Sequence, residues 1–436
     1  MRELAKKMIL EGIHNTDAEE LTKNNLKVIE NKKIEISDLT LDRDDYDEIV
    51  LIGIGKASVA MAVGCKDLDP DDGLVITTSA DADLKNRCPV EVREASHPYP
   101  KKENLKASEK LLSIIEKKKN ALFIFLISGG GSALLTNPAE GITLTDLNEL
   151  NKLLVNSGAN IHQINTIRKH VSKVKGGRLG KLCSEKGDIV SLIISDVVGD
   201  DMSVIASGPT YPDNSTYRDA KKTLEKLSLW VDISQNIRNR IEDGLKGEVD
   251  ETPKKLETKN FVIGNNMMAL QGAKKFLKEN SKLNSLVLTS QSKGEAKVIA
   301  KLLSGIAKEV QDTGNPVEPP VSLILGGETT VKIESDEPGK GGPNRELVLS
   351  AAIELQKREN IVIASADSDG IDGMEKSGAI ADISSVKKSK LDPKKYLDTH
   401  DSQTFFESLG DNLDFRSKTN VNDITVIIVG KERKSF

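Results

Sequence analysis

Leu122-Phe-Ile-Phe-Leu-Ile-Ser-Gly-Gly-Gly-Ser-Ala-Leu-Leu135 is the stretch that decides the fold. Leu122–Ile127 is apolar without alternation, the pattern of a strand buried on both faces. The run breaks at Ser128 into Gly129, Gly130 and Gly131, then Ser132 and a short apolar segment. Consecutive glycines cost chain entropy unless their N–H groups have a task. One reading is an anion nest ahead of a helix, where successive N–H groups and a hydroxyl converge on phosphate oxygens. The other is a plain flexible connection between strand and helix.

Working outward, similar runs recur at Ile49–Ile54, Leu74–Thr77, Ile189–Ile194, Phe261–Ile263, Leu286–Leu288, Val321–Leu325, Ile361–Ala364 and Ile424–Val429. Between them lie segments with helical spacing, such as Thr145–Val155, with Gly158 as a stop, and Ala296–Val310. Strands alternating with helices predict an α/β fold around largely parallel sheets. At 436 residues the chain predicts two domains. The polar, charged stretch 247–260 reads as the linker between an N-terminal α/β domain, 1–250, and a C-terminal one, 259–436. A second such stretch, 311–320, reads as a loop inside the second domain.

Composition narrows the function. Hydrophobic residues at 37% supply sizeable cores, whereas aromatics at 3% leave too few rings for single-stranded nucleic acid. Lys plus Arg total 62 against 67 Asp plus Glu, for a net charge of −5, which suits neither nucleic acid nor an anionic membrane. Cys65, Cys88 and Cys183 match no zinc motif and read as reduced thiols of a cytoplasmic protein. No signal peptide and no membrane span is read from the sequence. The partners expected are small molecules, with homo-oligomerisation left open.

Further candidates sit where strands end, the place open α/β sheets bind ligands. Ile49-Val-Leu-Ile-Gly-Ile-Gly-Lys-Ala57 leads through Gly53 and Gly55 into Lys56. It is no Walker A loop, because Val50 and Ala57 occupy the positions of Gly and Ser/Thr, and Ser58 breaks a dinucleotide fingerprint. Asp196 is the first charge past Ile189–Ile194, available to Mg²⁺ or a substrate hydroxyl. The turn Asp367-Ser-Asp369-Gly-Ile-Asp372-Gly373 offers one or two functional carboxylates, Asp369 among them, or is a plain Asx-rich turn. Ile164–Arg178 reads as a basic helix ending at Gly176-Gly177, with Asn165, Arg168 and Ser172 along one stripe. It is either a solvated basic face or a positive wall for an anionic substrate. Asn265 and Asn266 close the Phe261 strand with amides suited to a nucleobase, ribose or phosphate. Gly326-Gly327-Glu328-Thr329 and Pro338-Gly-Lys-Gly-Gly-Pro-Asn-Arg-Glu346 add two more glycine-rich turns. Nests, Lys, Arg and a strand-end Asp together fit phosphoryl transfer.

Ser128–Leu135 with Glu140–Thr145, Asn165–Gly177, Ser195–Thr210, Gly326–Val331, Asp369–Gly373 and Thr419–Ile424 resemble, in order, the blocks of the glycerate 2-kinases with a MOFRL C-terminal domain. Some of these enzymes are labelled hydroxypyruvate reductases. The resemblance implies two α/β (Rossmann-like) domains with the active site in the cleft between them. It also implies phosphorylation of D-glycerate at the 2-hydroxyl, with ATP and Mg²⁺. It maps a catalytic lysine onto Lys56 and a strand-end aspartate onto Asp196. It places the glycine nest on Gly129–Ser132. Read from the residues themselves, ATP phosphates are expected on Ser128–Ser132, with Asn265, Asn266, Gly326, Gly327, Glu328 and Thr329 in further nucleotide contacts. On the same reading the catalytic residues are Lys56, Asp196 and Arg345, substrate is expected at Lys56, Asn165, Arg168 and Arg345, and metal at Asp196 and Asp369. Three positions depart from the family pattern. Pro343 replaces the usual arginine, with Arg345 two residues on as the candidate substitute. Gln163 replaces a glutamate, and Phe415-Arg-Ser-Lys418 replaces a Gly-Pro-Thr-Gly loop. An NAD(P)H-dependent reductase and a non-catalytic nucleotide sensor are the alternative functions.

Overall fold

The computed structural model describes residues 1–30, 32–333, 339–415 and 417–432; Pro338 and Arg416 of the two loops above lie outside them. The chain divides into two compact units, Ala18–Ile263 and Met1–Asp17 with Gly264–Phe436.

The first unit opens with three short antiparallel strands, β1 (Leu26–Ile29), β2 (Lys33–Ile36) and β3 (Leu39–Asp42). Its main sheet contains β4 (Glu48–Ile54), β5 (Asp72–Thr77), β6 (Glu91–Glu94), β7 (Ala121–Ile127), β8 (Gly187–Ile194) and β9 (Lys259–Gly264), in the order β6-β5-β4-β7-β8-β9. The β6-β5, β5-β4, β4-β7 and β7-β8 pairs are parallel. Every residue of β7 is buried, which accounts for its unbroken apolar run. Val50, Ile52, Phe123 and Phe125 form a core with Leu111 and Ile115 of the helix Lys102–Glu116 and with Leu179 of the helix Arg178–Ser184. Each such apolar side chain contributes about 1.5–3 kcal/mol on burial. From β4 the chain builds β5 and β6 on one side, then returns to add β7 and β8 on the other. The strand order therefore reverses between β4 and β7, the switch point where open sheets bind ligands beyond the carboxyl ends of their strands.

The second unit has β10 (Asn284–Glu295), β11 (Val321–Thr330), β12 (Ile361–Asp367), β13 (Gly378–Asp382), β14 (Asn412–Leu413) and β15 (Asp423–Val429), in the order β10-β11-β15-β12-β13-β14. Only β10-β11 is parallel; the other four pairs are antiparallel. This corrects the expectation of largely parallel sheets. Burial on both faces gives a strand the same apolar composition whichever way its neighbour runs, and β15 is wholly buried between β11 and β12.

The division of the chain also differs from the one expected. Ala5, Met8, Ile9 and Ile13 of the first helix, Arg2–His14, are buried within the second unit. At Gly12 a Cβ would lie 2.8 Å from the Ala269 carbonyl oxygen, so the two backbones meet there. The stretch 247–260 is folded onto the first unit. The Thr252 hydroxyl donates to Asp213 (2.9 Å) and the Tyr217 N–H to Glu251 (2.9 Å), and the chain then enters β9. The division falls at 263/264. The basic segment is likewise not one helix. It ends at His170, turns through Gly176 and Gly177 at φ 58° and 80°, and resumes as Arg178–Ser184. Among the described residues no helix is long and apolar enough to cross a membrane.

Candidate active site

At the switch point the loops after β4 and β7 are bonded together. The Lys56 N–H donates to the Gly129 carbonyl (2.9 Å), and the Ser128 hydroxyl accepts from the Ala57 N–H (3.0 Å). Gly55 sits at φ 134°, where a Cβ would be 2.2 Å from the Ser128 Oγ, so glycine is obligatory there. Gly130 is left-handed at φ 80° and opens a single helical turn, Gly131–Leu134. The N–H groups of Gly129, Gly130, Gly131 and Ser132 find no acceptor among the described residues. The Lys56 side chain lies along this loop, its Cγ 3.3 Å from where a Gly130 Cβ would stand.

Behind the nest runs a chain of hydroxyls. Ser132 Oγ and Ser207 Oγ are 2.7 Å apart, and Ser207 donates to Asn165 Oδ1 at 2.7 Å. Ser207 is buried and, with Ala206 and Gly208, occupies left-handed backbone at φ 50–63°. Two non-glycine residues there mark a strained segment, of the kind found at ligand sites.

Beside the nest opens a cavity of about 180 Å³, lined by His97, Gly130, Ser132, Asn151, Arg168 and Lys175 among others, with no Asp or Glu among the described residues of its wall. Arg168 Nε donates to Asn151 (2.8 Å), and among the described residues the guanidinium has no carboxylate partner. Burial pushes it below its ordinary pKa. Lys175 is buried, and its ammonium donates to the carbonyls of Ser132 and Leu135, the latter at 2.9 Å. Burial first, then the charge of Arg168, lowers its pKa to about 7. The basic segment is thus not a solvated face. Lys169 is buried against Asp213 (3.1 Å) and His170 against Glu251 (3.1 Å), while Arg168 and Lys175 line the cavity.

Several other candidates hold structural positions. Arg345 is fully buried, its N–H and Nε each donating to Asp372 Oδ2 (3.0 Å) and Nη2 to the Asp372 carbonyl. These bonds clamp the 369–373 turn and occupy the Nε and Nη2 of the guanidinium, while Nη1 has no hydrogen-bond partner among the described residues. Burial outweighs that ion pair and leaves the Asp372 carboxyl above its ordinary pKa. Asn265 caps the helix Asn266–Asn280 by accepting from the Met268 N–H (3.0 Å). Asn266 donates to the carbonyls of Val421 (2.7 Å) and Asp423 (2.9 Å), and Gly326 packs against its amide. Gly327 (φ 140°) and Glu328 continue β11, and both the N–H and hydroxyl of Thr329 donate to Asp423. Asp369 accepts from the Ile371 N–H (2.9 Å) within its own turn, as an Asx-rich turn does. Asp196 follows β8, half-buried, on the same carboxyl edge as Lys56 and the nest. Among the described residues no three His, Cys, Asp or Glu side chains converge as a ready-made metal cage.

Sequence reasoning missed Ser207, Lys175, His97 and Asn151 as members of this region. Lys175 carried a usable signal, a lysine between buried Val174 and a glycine pair; the other three did not stand out.

A parallel sheet with an amide nest at its switch point, beside a cavity walled by an arginine and a lysine, is an arrangement suited to binding anions. Models of two families match the chain, a domain of unknown function (DUF4147) over residues 4–242 and the MOFRL family over residues 321–423. The glycerate 2-kinase of Pyrococcus horikoshii is 38% identical over 447 residues, spanning 99% of this chain and 98% of that one. The D-glycerate 2-kinase of Thermotoga maritima is 36% identical over 403 residues, 89% and 93% of the two chains. The crystal structure of a Thermotoga maritima glycerate kinase, 33% identical, superposes with a TM-score of 0.83 over 98% of this chain and 99% of that one. The chain belongs to the glycerate 2-kinase family.

Proposed function

We propose that this chain transfers the terminal phosphoryl group of ATP to the 2-hydroxyl of D-glycerate, giving 2-phosphoglycerate and ADP, as a cytoplasmic enzyme. The observation that carries this reading is the cavity whose wall holds Arg168 and Lys175 and, among the described residues, no carboxylate. At about 180 Å³ it is of a size for a three-carbon acid. Pockets for drug-sized ligands start near ~300 Å³, so the acid and not the nucleotide is assigned to it. The glycerate carboxylate is assigned to Arg168, with Lys175 adding positive charge behind it.

The nest suits ATP phosphates, since four successive N–H groups lack an acceptor among the described residues. Lys56, lying along the same loop, supplies a point charge for the transferring phosphoryl group. Mg²⁺ is commonly held by one or two carboxylates together with the phosphates whose charge it neutralises. Asp196, on the same edge, is the residue assigned to it and to orienting the 2-hydroxyl. When bound, ATP supplies the phosphoryl group and the ion neutralises its charge. Three free cysteines agree with a reducing compartment.

Lys56→Ala and Asp196→Asn each remove a preorganised contact and are expected to lower kcat roughly 10²–10³-fold with thermal melts unchanged. Near-normal turnover in both folded variants would overturn these assignments.

A further inference from the structure

The hydroxyl chain behind the nest has a direction. Ser207 has one hydroxyl proton, and it is donated to Asn165 Oδ1 at 2.7 Å. In the 2.7 Å contact with Ser132, the Ser207 oxygen can therefore only accept, and Ser132 is the donor. Once its proton is committed, the Ser132 oxygen has only lone pairs left for the cavity it lines. An anion cannot bond to it, but a hydroxyl can.

We infer that Ser132 accepts a hydrogen bond from the non-transferring hydroxyl of the three-carbon acid, and that Ser207 and Asn165 are the positioning residues that fix this polarity. The inference rests on the reading that the cavity takes the acid. The relay ends on an amide carbonyl, which does not take up a proton at neutral pH. A hydroxyl about to attack phosphorus must lose its proton, so the one held at Ser132 is the spectator. With transfer at the 2-hydroxyl, that spectator is the 3-hydroxyl.

The surrounding backbone holds the relay in place. The Gly176 N–H donates to the Ser207 carbonyl (2.9 Å), and a Cβ at Gly131 would come within 2.7 Å of the Ala206 Cβ. Asn165 and Ser207 are both buried, so neither chooses its partner by exchange with bulk water.

The test compares kcat/KM for D-glycerate and for D-lactate, which is the same acid without its 3-hydroxyl. The wild type is expected to prefer glycerate, and Ser207→Ala to narrow that preference about tenfold, the worth of one neutral hydrogen bond. Asn165→Asp keeps an acceptor facing Ser207 and should hold the preference within about twofold, because its added charge acts alike on both anions. Asn165→Ala should narrow the preference as Ser207→Ala does, and it stands in if the Ser207 variant does not fold. An unchanged ratio in Ser207→Ala and Asn165→Ala would refute the inference. So would narrowing in Asn165→Asp, which would mean that the amide nitrogen faces Ser207. Arg168→Met separates the two levels. If it raises KM for both acids alike while Ser207→Ala changes nothing, the role of Ser132 fails and the cavity reading stands. If it leaves both KM values unchanged, the cavity reading fails and takes the inference with it.

Discussion

Replacing Arg168 with methionine keeps most of the side chain's length and apolar stem while removing the charge. The guanidinium has one protein hydrogen bond, to Asn151, and no carboxylate partner among the described residues. Its remaining donors are therefore available to the carboxylate of the substrate. A hydrogen bond to a charged group contributes about 1.5–3 kcal/mol, so KM for glycerate should rise roughly 10- to 150-fold. The KM for ATP should stay within about twofold, because the nucleotide phosphates are assigned to the nest and not to Arg168. Stability should move the other way. A desolvated cation with no counter-charge destabilises the fold, and its removal should contribute about 1 kcal/mol, or roughly 2–4 °C in Tm for a unit of this size. Glycerate-saturation kinetics at fixed ATP, with a thermal melt of the same preparation, measures both. A glycerate KM equal to that of the wild type, or a lowered Tm with unchanged kinetics, would refute the reasoning.

Lys175 titrates near 7 in the folded chain against 10.5 ordinarily, so between those values the unfolded chain binds a proton that the folded chain does not. On this group's account stability rises with pH from about 7 to 10.5, and Lys175→Met should flatten that slope in melts taken across the range. The glycerate KM should rise above about pH 7 as the ammonium is lost, and Arg168→Met should move that limb to higher pH. Arg345→Met leaves the buried Asp372 without its partner and should cost about 3–5 kcal/mol, read as a lowered Tm; loss of turnover with unchanged Tm would support a catalytic role for Arg345. Gly131→Ala drives a Cβ to 2.7 Å from the Ala206 Cβ and should cost about 1–3 kcal/mol in denaturant unfolding while lowering activity.

The strand framework was legible because an unbroken apolar run is stable only where both of its faces are covered. All nine runs read from the sequence fall inside strands, and the nest at Gly129–Ser132 lies at the end of one of them. Strand direction was not legible in the second sheet, since β12 and β15 need the same residues whether they run parallel or antiparallel. Nor was the membership of Arg2–His14. An amphipathic stripe such as Ala5, Met8, Ile9 and Ile13 states that it must be covered, and not by what. The basic segment misled for a related reason. A lysine or arginine in a sequence suggests solvent, but Lys169 and Lys175 are buried through ion pairing or carbonyl contacts made far along the chain. Arg345 looked available because Asp372, its partner, is 27 residues away in sequence.

The central claim is tested most directly by ADP release from ATP and Mg²⁺ with D-glycerate as acceptor, followed by phosphorus NMR of the product. The account predicts stoichiometric ADP and a resonance coupled to the single proton on C2, which marks 2-phosphoglycerate. No ADP release on addition of glycerate, or a resonance coupled to the two C3 protons of a 3-phosphate, would contradict it.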